Sequence, residues 1–254
     1  MTLPVRPVAE GDGRPAREPP LTERRLGPDD LARVVALHEA AHRAASAPGL
    51  FVRETEAFFA AHLGAAGLML GLETPDGALA GYCVLGLPAA EAAENFGHAL
   101  GLVPAELSRV CHLDGTAVLP AWRGCGLQRR LTRRRLALAR TAGRDIALST
   151  AAPGNVWSLA NLTAEGLQVV ALVEKYEGLR LMLQADARAP ALPVDLPGRA
   201  DAQAVPLDGG AARHRALLAE GWRGVAVQRP AGTAAPALLY LPPDAGRAED
   251  GAGP

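Results

Sequence analysis

Between an apolar run ending at Leu119 and an arginine-rich, leucine-spaced segment lies Arg123-Gly124-Cys125-Gly126. A strand that ends in a glycine-bearing turn and opens a helix leaves several backbone N–H groups converging on one place. The helix dipole adds to their pull on an anion, most obviously a phosphate. Gly124 and Gly126 lack the Cβ that would hold a ligand away and permit left-handed backbone values, and Arg123 adds charge. An ordinary tight strand-to-helix turn leaves the same G-x-G, so the pattern alone does not choose between them. Two phosphate loops are excluded. The P-loop needs G-x-x-x-x-G-K-[ST], whereas the chain's one lysine, Lys175, stands far along the sequence from these glycines; the dinucleotide fingerprint needs a third glycine where Arg129 stands. His38 and His42 are spaced i, i+4, which permits metal ligation from one helix face. Without H-E-x-x-H or a third ligand they read as packing or surface histidines, and no metal is expected.

Apolar periodicity and turn chemistry give the elements that must position this loop. Residues 21–26 read as a short strand. Gly27-Pro28-Asp29-Asp30 then supplies an early proline and first-turn acids for a helix carrying Leu31, Val34, Val35 and Leu37. A second helix is expected over about 54–63, and residues 68–73 and 79–87 flank the turn sequence Thr74-Pro75-Asp76-Gly77 as a hairpin. After an Ala/Glu-rich connection, 110–118 reads as a strand in which Gly115 signals a bulge or splay. In the helix expected over 127–142, Leu127, Leu131, Leu138 and Ala142 share one side and Arg129, Arg130, Arg133 and Arg140 the other, while Arg135 interrupts the apolar stripe. A strand at 145–150, a helix opening near Asn155 and strands near 167–173 and 179–184 complete the order β-α-α-β-β-β-α-β-α-β-β.

Val118-x-Pro120-x-x-Arg123-Gly124-x-Gly126-Leu127-x-x-x-Leu131 resembles the acetyl-CoA signature of the GNAT superfamily of N-acetyltransferases, and the element order over 21–184 is similar to that family's. Pro153-Gly154-Asn155-x-x-Ser158-x-x-Asn161-x-x-x-x-Gly166-Leu167 and Glu174-Lys175-Tyr176-x-Gly178-x-Arg180 resemble two further segments of the family. The resemblance implies an α+β fold: a mixed, mostly antiparallel sheet flanked by helices. It also implies acetyl transfer from acetyl-CoA, as co-substrate and without a metal, to a primary amine by direct attack. An acyl-CoA-binding regulatory module with little catalysis is the alternative. By the same resemblance, backbone near Ala117 and Val118 would pair with the pantetheine arm. The N–H groups of Gly124, Cys125, Gly126, Leu127, Gln128 and Arg129, with Arg123, would hold the pyrophosphate, and Asn155 and Ser158 would complete the coenzyme site. Asn155 equally fits an N-cap, and Arg129, Arg130 and Arg133 are either ligands for the nucleotide phosphate or solvated helix arginines. Leu162 occupies the position where many members carry a proton-donating tyrosine.

Amine attack needs a neutral nucleophile, and an amine of pKa ~10.4 is only about one part in 2500 neutral at pH 7, equivalent to roughly 4.6 kcal/mol. The resemblance places a strand carboxylate at Asp114, so Asp114 is either this base or a strand-edge aspartate; Glu54, Glu56 and His112 are weaker candidates.

With 254 residues, 49% hydrophobic content and a net charge of -1, the chain can bury a full core and is not built as a general polyanion binder. The dense run Arg129-Arg130-Leu131-Thr132-Arg133-Arg134-Arg135 lacks aromatic platforms, so no nucleic-acid partner is expected. Cys83, Cys111 and Cys125 form no C-x-x-C, and no apolar stretch has the length of a signal peptide core or a membrane span. The expectation is a cytoplasmic protein acting on a small-molecule amine, with a homodimer left open. Residues 1–20 read as a disordered arm, 21–184 as the acetyltransferase domain, 185–202 as a linker, 203–242 as a small β-α-β-β appendage and 243–254 as a tail. The appendage holds no phosphate loop, so it is expected to serve structure or acceptor selection rather than coenzyme binding.

Overall fold

The computed structural model describes residues 20–45, 47, 49–189, 200–229 and 235–243. Nearly all of the expected arm and tail and the middle of the expected linker lie outside the described residues. Strand β1 (Thr22–Arg25) leads through a proline-initiated 3-10 turn (Pro28–Asp30) into α1 (Leu31–Arg43). Its inward residues Val34, Leu37, His38 and Ala41 follow the 3.6-residue period. Helix α2 (Glu56–Leu63) starts at Thr55, whose hydroxyl accepts the Phe58 N–H at 3.1 Å. β2 (Gly67–Glu73) and β3 (Leu79–Gly86) form the hairpin, with Gly77 at φ +82° in its turn.

The Ala/Glu-rich connection holds a 3-10 turn (Phe96–Leu100) and the short α3 (Pro104–Leu107), neither of which the apolar pattern announced. β4 (Val110–Val118), α4 (Leu127–Thr141), β5 (Ile146–Ala151), α5 (Val156–Thr163), β6 (Gln168–Lys175) and β7 (Gly178–Asp186) follow. Ala185 and Asp186 therefore belong to a strand rather than to the linker. β8 (Gln203–Pro206), α6 (Ala211–Ala219), β9 (Arg223–Gln228) and β10 (Ala237–Leu241) complete the described chain.

The strands form one sheet in the order β1-β2-β3-β4-β5-β7-β6-β9-β10-β8, antiparallel except for β4 and β5. β3 is buried along its whole length because both of its faces are covered. Met69, Tyr82 and Val84 pack under α1 and α2, whereas Leu70, Leu72 and Cys83 pack under Leu127 and Leu131 of α4. The last three strands join through a narrow seam at Val169 and Gly224, where a Cβ would lie 2.9 Å from the Val169 Cβ. Beyond that seam the core is continuous, with Val205, Leu217, Leu238 and Tyr240 packing in one cluster with Leu159, Val169 and Leu183. Among the described residues no helix is long and apolar enough to cross a membrane.

Candidate active site

The glycine loop forms one wall of a cleft of about 780 Å³. Gly124 and Gly126 adopt φ +81° and +71°, and a Cβ on either would meet no atom within 4 Å. The glycines thus serve backbone conformation and leave room for a ligand instead of relieving an internal clash. The first bond of α4 runs from the Arg130 N–H to the Gly126 carbonyl at 3.0 Å, so the N–H groups of Leu127, Gln128 and Arg129 precede the helical ladder. This is the geometry of an anion site at a helix N-terminus.

Two irregularities of β4 create the rest of the cleft. β4 and β5 pair only from Val110 to His112 and then separate; the Ser149 hydroxyl donates to the first freed carbonyl, Leu113, at 2.8 Å. On the other edge, Cys83 faces Thr116 but Leu85 faces Leu113, so Asp114 and Gly115 together oppose Val84. This is a β-bulge, and it disrupts the ladder locally. Arg135, the residue that breaks the apolar stripe of α4, supplies the missing donor: its Nη1 reaches the Asp114 carbonyl at 2.8 Å and the Val84 carbonyl at 3.1 Å. At 1% exposure it is a buried guanidinium used to stabilise a bulge. The bulge turns the Asp114 carboxylate over Gly86, where a Cβ would come within 2.6 Å of Oδ2.

At this end of the cleft the carboxyl groups are poorly hydrated. Burial pushes the Asp114 pKa up to about 7, against the opposing pull of Arg135 and Lys175. Glu54 is also raised to about 7, first by burial and then by the charge of Asp114. His112 is held neutral, with burial lowering its pKa to about 3 and its Nε2 accepting the Phe96 N–H at 3.0 Å; it is thereby removed as a base. His62 binds the Phe58 carbonyl through Nδ1 at 2.8 Å and turns Nε2 towards Asp114, 3.9 Å away. His38 is a packing histidine with a positioning role: Nε2 accepts the Glu54 N–H at 2.9 Å, and Nδ1 lies 2.7 Å from the Tyr82 hydroxyl. The accepted bond leaves the proton of the neutral ring on Nδ1, which therefore donates to Tyr82. Glu56 is exposed on α2 and takes no part.

Asp114, Glu54 and the expected coenzyme residues Ala117, Val118, Arg123, Gly124, Gly126, Leu127, Gln128, Asn155 and Ser158 all line the cleft, whereas Cys125, Arg129 and the weaker candidates Glu56, His112, Arg130 and Arg133 do not. The Asn155 side chain caps α5 by accepting the Ser158 N–H at 3.2 Å and also donates to the Leu50 carbonyl at 3.0 Å. Gln128 links the two helix starts, donating to the Ser158 hydroxyl at 3.0 Å and accepting from Asn161 at 2.8 Å. Three of the α4 arginines have carboxylate partners within the fold. Arg129 and Arg133 pair with the buried carboxylate of Glu165 at 2.6 and 2.8 Å, and Arg134 pairs with Glu23 at 2.7 Å, because packing α5 and β1 against α4 brings those carboxylates under its arginine face.

No family model matches the chain, and no curated protein matches it by sequence. Solved structures do match. The yncA structure from Salmonella typhimurium with its cofactor acetyl-CoA superposes with a TM-score of 0.51 at 19% identity, covering 69% of this chain and 99% of that one. Arabidopsis thaliana NAA60 in complex with acetyl-CoA gives 0.54 at 12% identity over 66% and 99%. The ribosomal-protein-S18-alanine N-acetyltransferase from Escherichia coli gives 0.50 at 16% over 69% and 98%. The chain has the GNAT fold. Within that fold Leu162 is a buried part of the cleft wall, and Tyr176 brings a phenol to the cleft from the β6–β7 turn, where it adopts φ +55°. Desolvation of the phenol and the nearby charges of Asp114 and Glu54 raise the Tyr176 pKa, so its hydroxyl keeps its proton at neutral pH. Neither Tyr176 nor Arg135 was assigned a role from sequence. The Glu-Lys-Tyr stretch and the charged interruption of an apolar stripe were their only signals.

Proposed function

We propose that the protein is an acyl-CoA-dependent N-acyltransferase that transfers acetyl to a primary amine by direct attack. The observation that carries this reading is one cleft with an anion-binding helix start at one end and two hydrophobically raised carboxyl groups at the other. The fit to a coenzyme rests on the open space beside Gly124 and Gly126 and on N–H groups ahead of the α4 ladder. These groups, with Arg123, would hold the pyrophosphate, and the free edge of β4 at Ala117 and Val118 would hold the pantetheine amides. Bound there, acetyl-CoA supplies an acyl thioester reactive enough for an amine.

Asp114 takes the proton from the incoming ammonium. A carboxyl with a pKa near 7 is about half ionised at neutral pH and binds a proton far better than an ordinary aspartate. Glu54, in the same cleft, attracts the cation before its proton moves. Tyr176 is the group positioned to return a proton to the departing thiolate, in place of a tyrosine at Leu162. A small amine enters by the side of the cleft bordered by Phe51 and Glu54. Measuring free-thiol release from acetyl-CoA across a panel of amines tests the assignment. Acetyl-CoA binding without turnover on any amine would establish the regulatory module instead, a reading that the Leu162 departure favours.

A further inference from the structure

The coenzyme reading leaves the outer end of the cleft unexplained. Trp157, the second residue of α5, belongs to the cleft wall yet is 68% exposed. An indole left open beside a cleft is a stacking platform in search of a flat partner. Arg229, just past the end of β9, lays its guanidinium 4.2 Å from the centre of that ring. The neighbouring Ser158 is bonded to Gln128 at 3.0 Å, which sets this pair beside the first turn of α4, at the glycine-loop end and away from Asp114. Arg129 and Arg133 are held by Glu165 and Arg134 by Glu23, whereas Arg229 makes no ion pair among the described residues.

We propose that Trp157 and Arg229 form a subsite for the adenosine end of a 3'-phosphorylated coenzyme, and this rests on the coenzyme reading above. The purine stacks on the indole, and the guanidinium pairs with the 3'-phosphate, a monoester carrying close to two negative charges at neutral pH. The C-terminal segment, expected from sequence to stand apart from coenzyme binding, then supplies the cation that distinguishes coenzyme A from its 3'-dephospho form.

Calorimetric titration of the full chain with coenzyme A and with dephospho-coenzyme A tests the subsite. The parent should prefer coenzyme A by about tenfold, and Arg229→Ala should remove most of that preference while leaving the affinity for dephospho-coenzyme A unchanged. Arg229→Lys should keep part of it. Trp157→Ala should weaken both ligands by a similar factor, because both carry the purine. A parent without preference, or an undiminished preference in Arg229→Ala, overturns the subsite and leaves the coenzyme reading intact. Failure of the parent to bind either ligand overturns the coenzyme reading itself.

Discussion

As the proposed base, Asp114 would couple activity to stability. Its carboxyl holds a proton up to about pH 7 in the folded protein, whereas the unfolded chain releases it near pH 4. Through that window the native state binds more protons, so its stability falls as pH rises and levels off above 7. Asp114→Asn should therefore raise the thermal midpoint at pH 8, by on the order of 2 kcal/mol of stability, with little change at pH 4. The same change should lower the acetylation rate by roughly 10²-fold at neutral pH and recover part of it at higher pH, where more amine arrives neutral. Differential scanning calorimetry at the two pH values and a pH–rate profile check both halves. Equal activity of the two proteins from pH 6 to 9 would sink the base assignment and move attention to Glu54.

At the scale of elements, the site depends on α4 twice. Its N-terminus carries the glycine loop proposed to hold the pyrophosphate, and Gly126→Asp would force a side chain into a left-handed position and set a negative charge where that phosphate would bind. Acetyl-CoA affinity should fall at least tenfold in a folded variant; unchanged affinity by calorimetry would show that the loop is misassigned. About two turns further on, Arg135 stabilises the β4 bulge. Arg135→Met would leave the Val84 and Asp114 carbonyls without their buried donor, costing about 1–3 kcal/mol. Because the bulge aims Asp114, the rate of Arg135→Met should stay depressed across the pH range, unlike that of Asp114→Asn. Recovery at high pH would instead make Arg135 a remote contributor to fold stability alone.

At the scale of the molecule, the C-terminal strands are not separable from the sheet they extend. Val205, Leu217, Leu238 and Tyr240 cover core residues of β6 and β7, and each buried side chain of this kind contributes about 1.5–3 kcal/mol as an upper bound. Their sum is comparable to the ~5–15 kcal/mol that holds a typical domain folded. A chain ended at Ala189, just past β7, should accordingly lose its near-ultraviolet circular dichroism and bind a hydrophobic dye. A cooperative unfolding transition like the parent's would show that the first seven strands stand alone.

What sequence alone determined about this protein is local. Apolar spacing defined β4 over 110–118 and the start of α4 at Leu127, and Gly115 marked the irregular strand, because these depend on near neighbours in the chain. The glycine loop could be read for the same reason: its N–H groups converge through the conformation of adjacent residues. Tertiary structure decided what depends on distant pairs. Nothing near Arg129 or Arg133 in sequence announces Glu165, and nothing near Arg135 announces the carbonyl of Val84. Asp114 and Glu54 become candidate acid–base groups only where folding strips water from them together. That desolvation is a property of the assembled core, which the order of residues along the chain does not display.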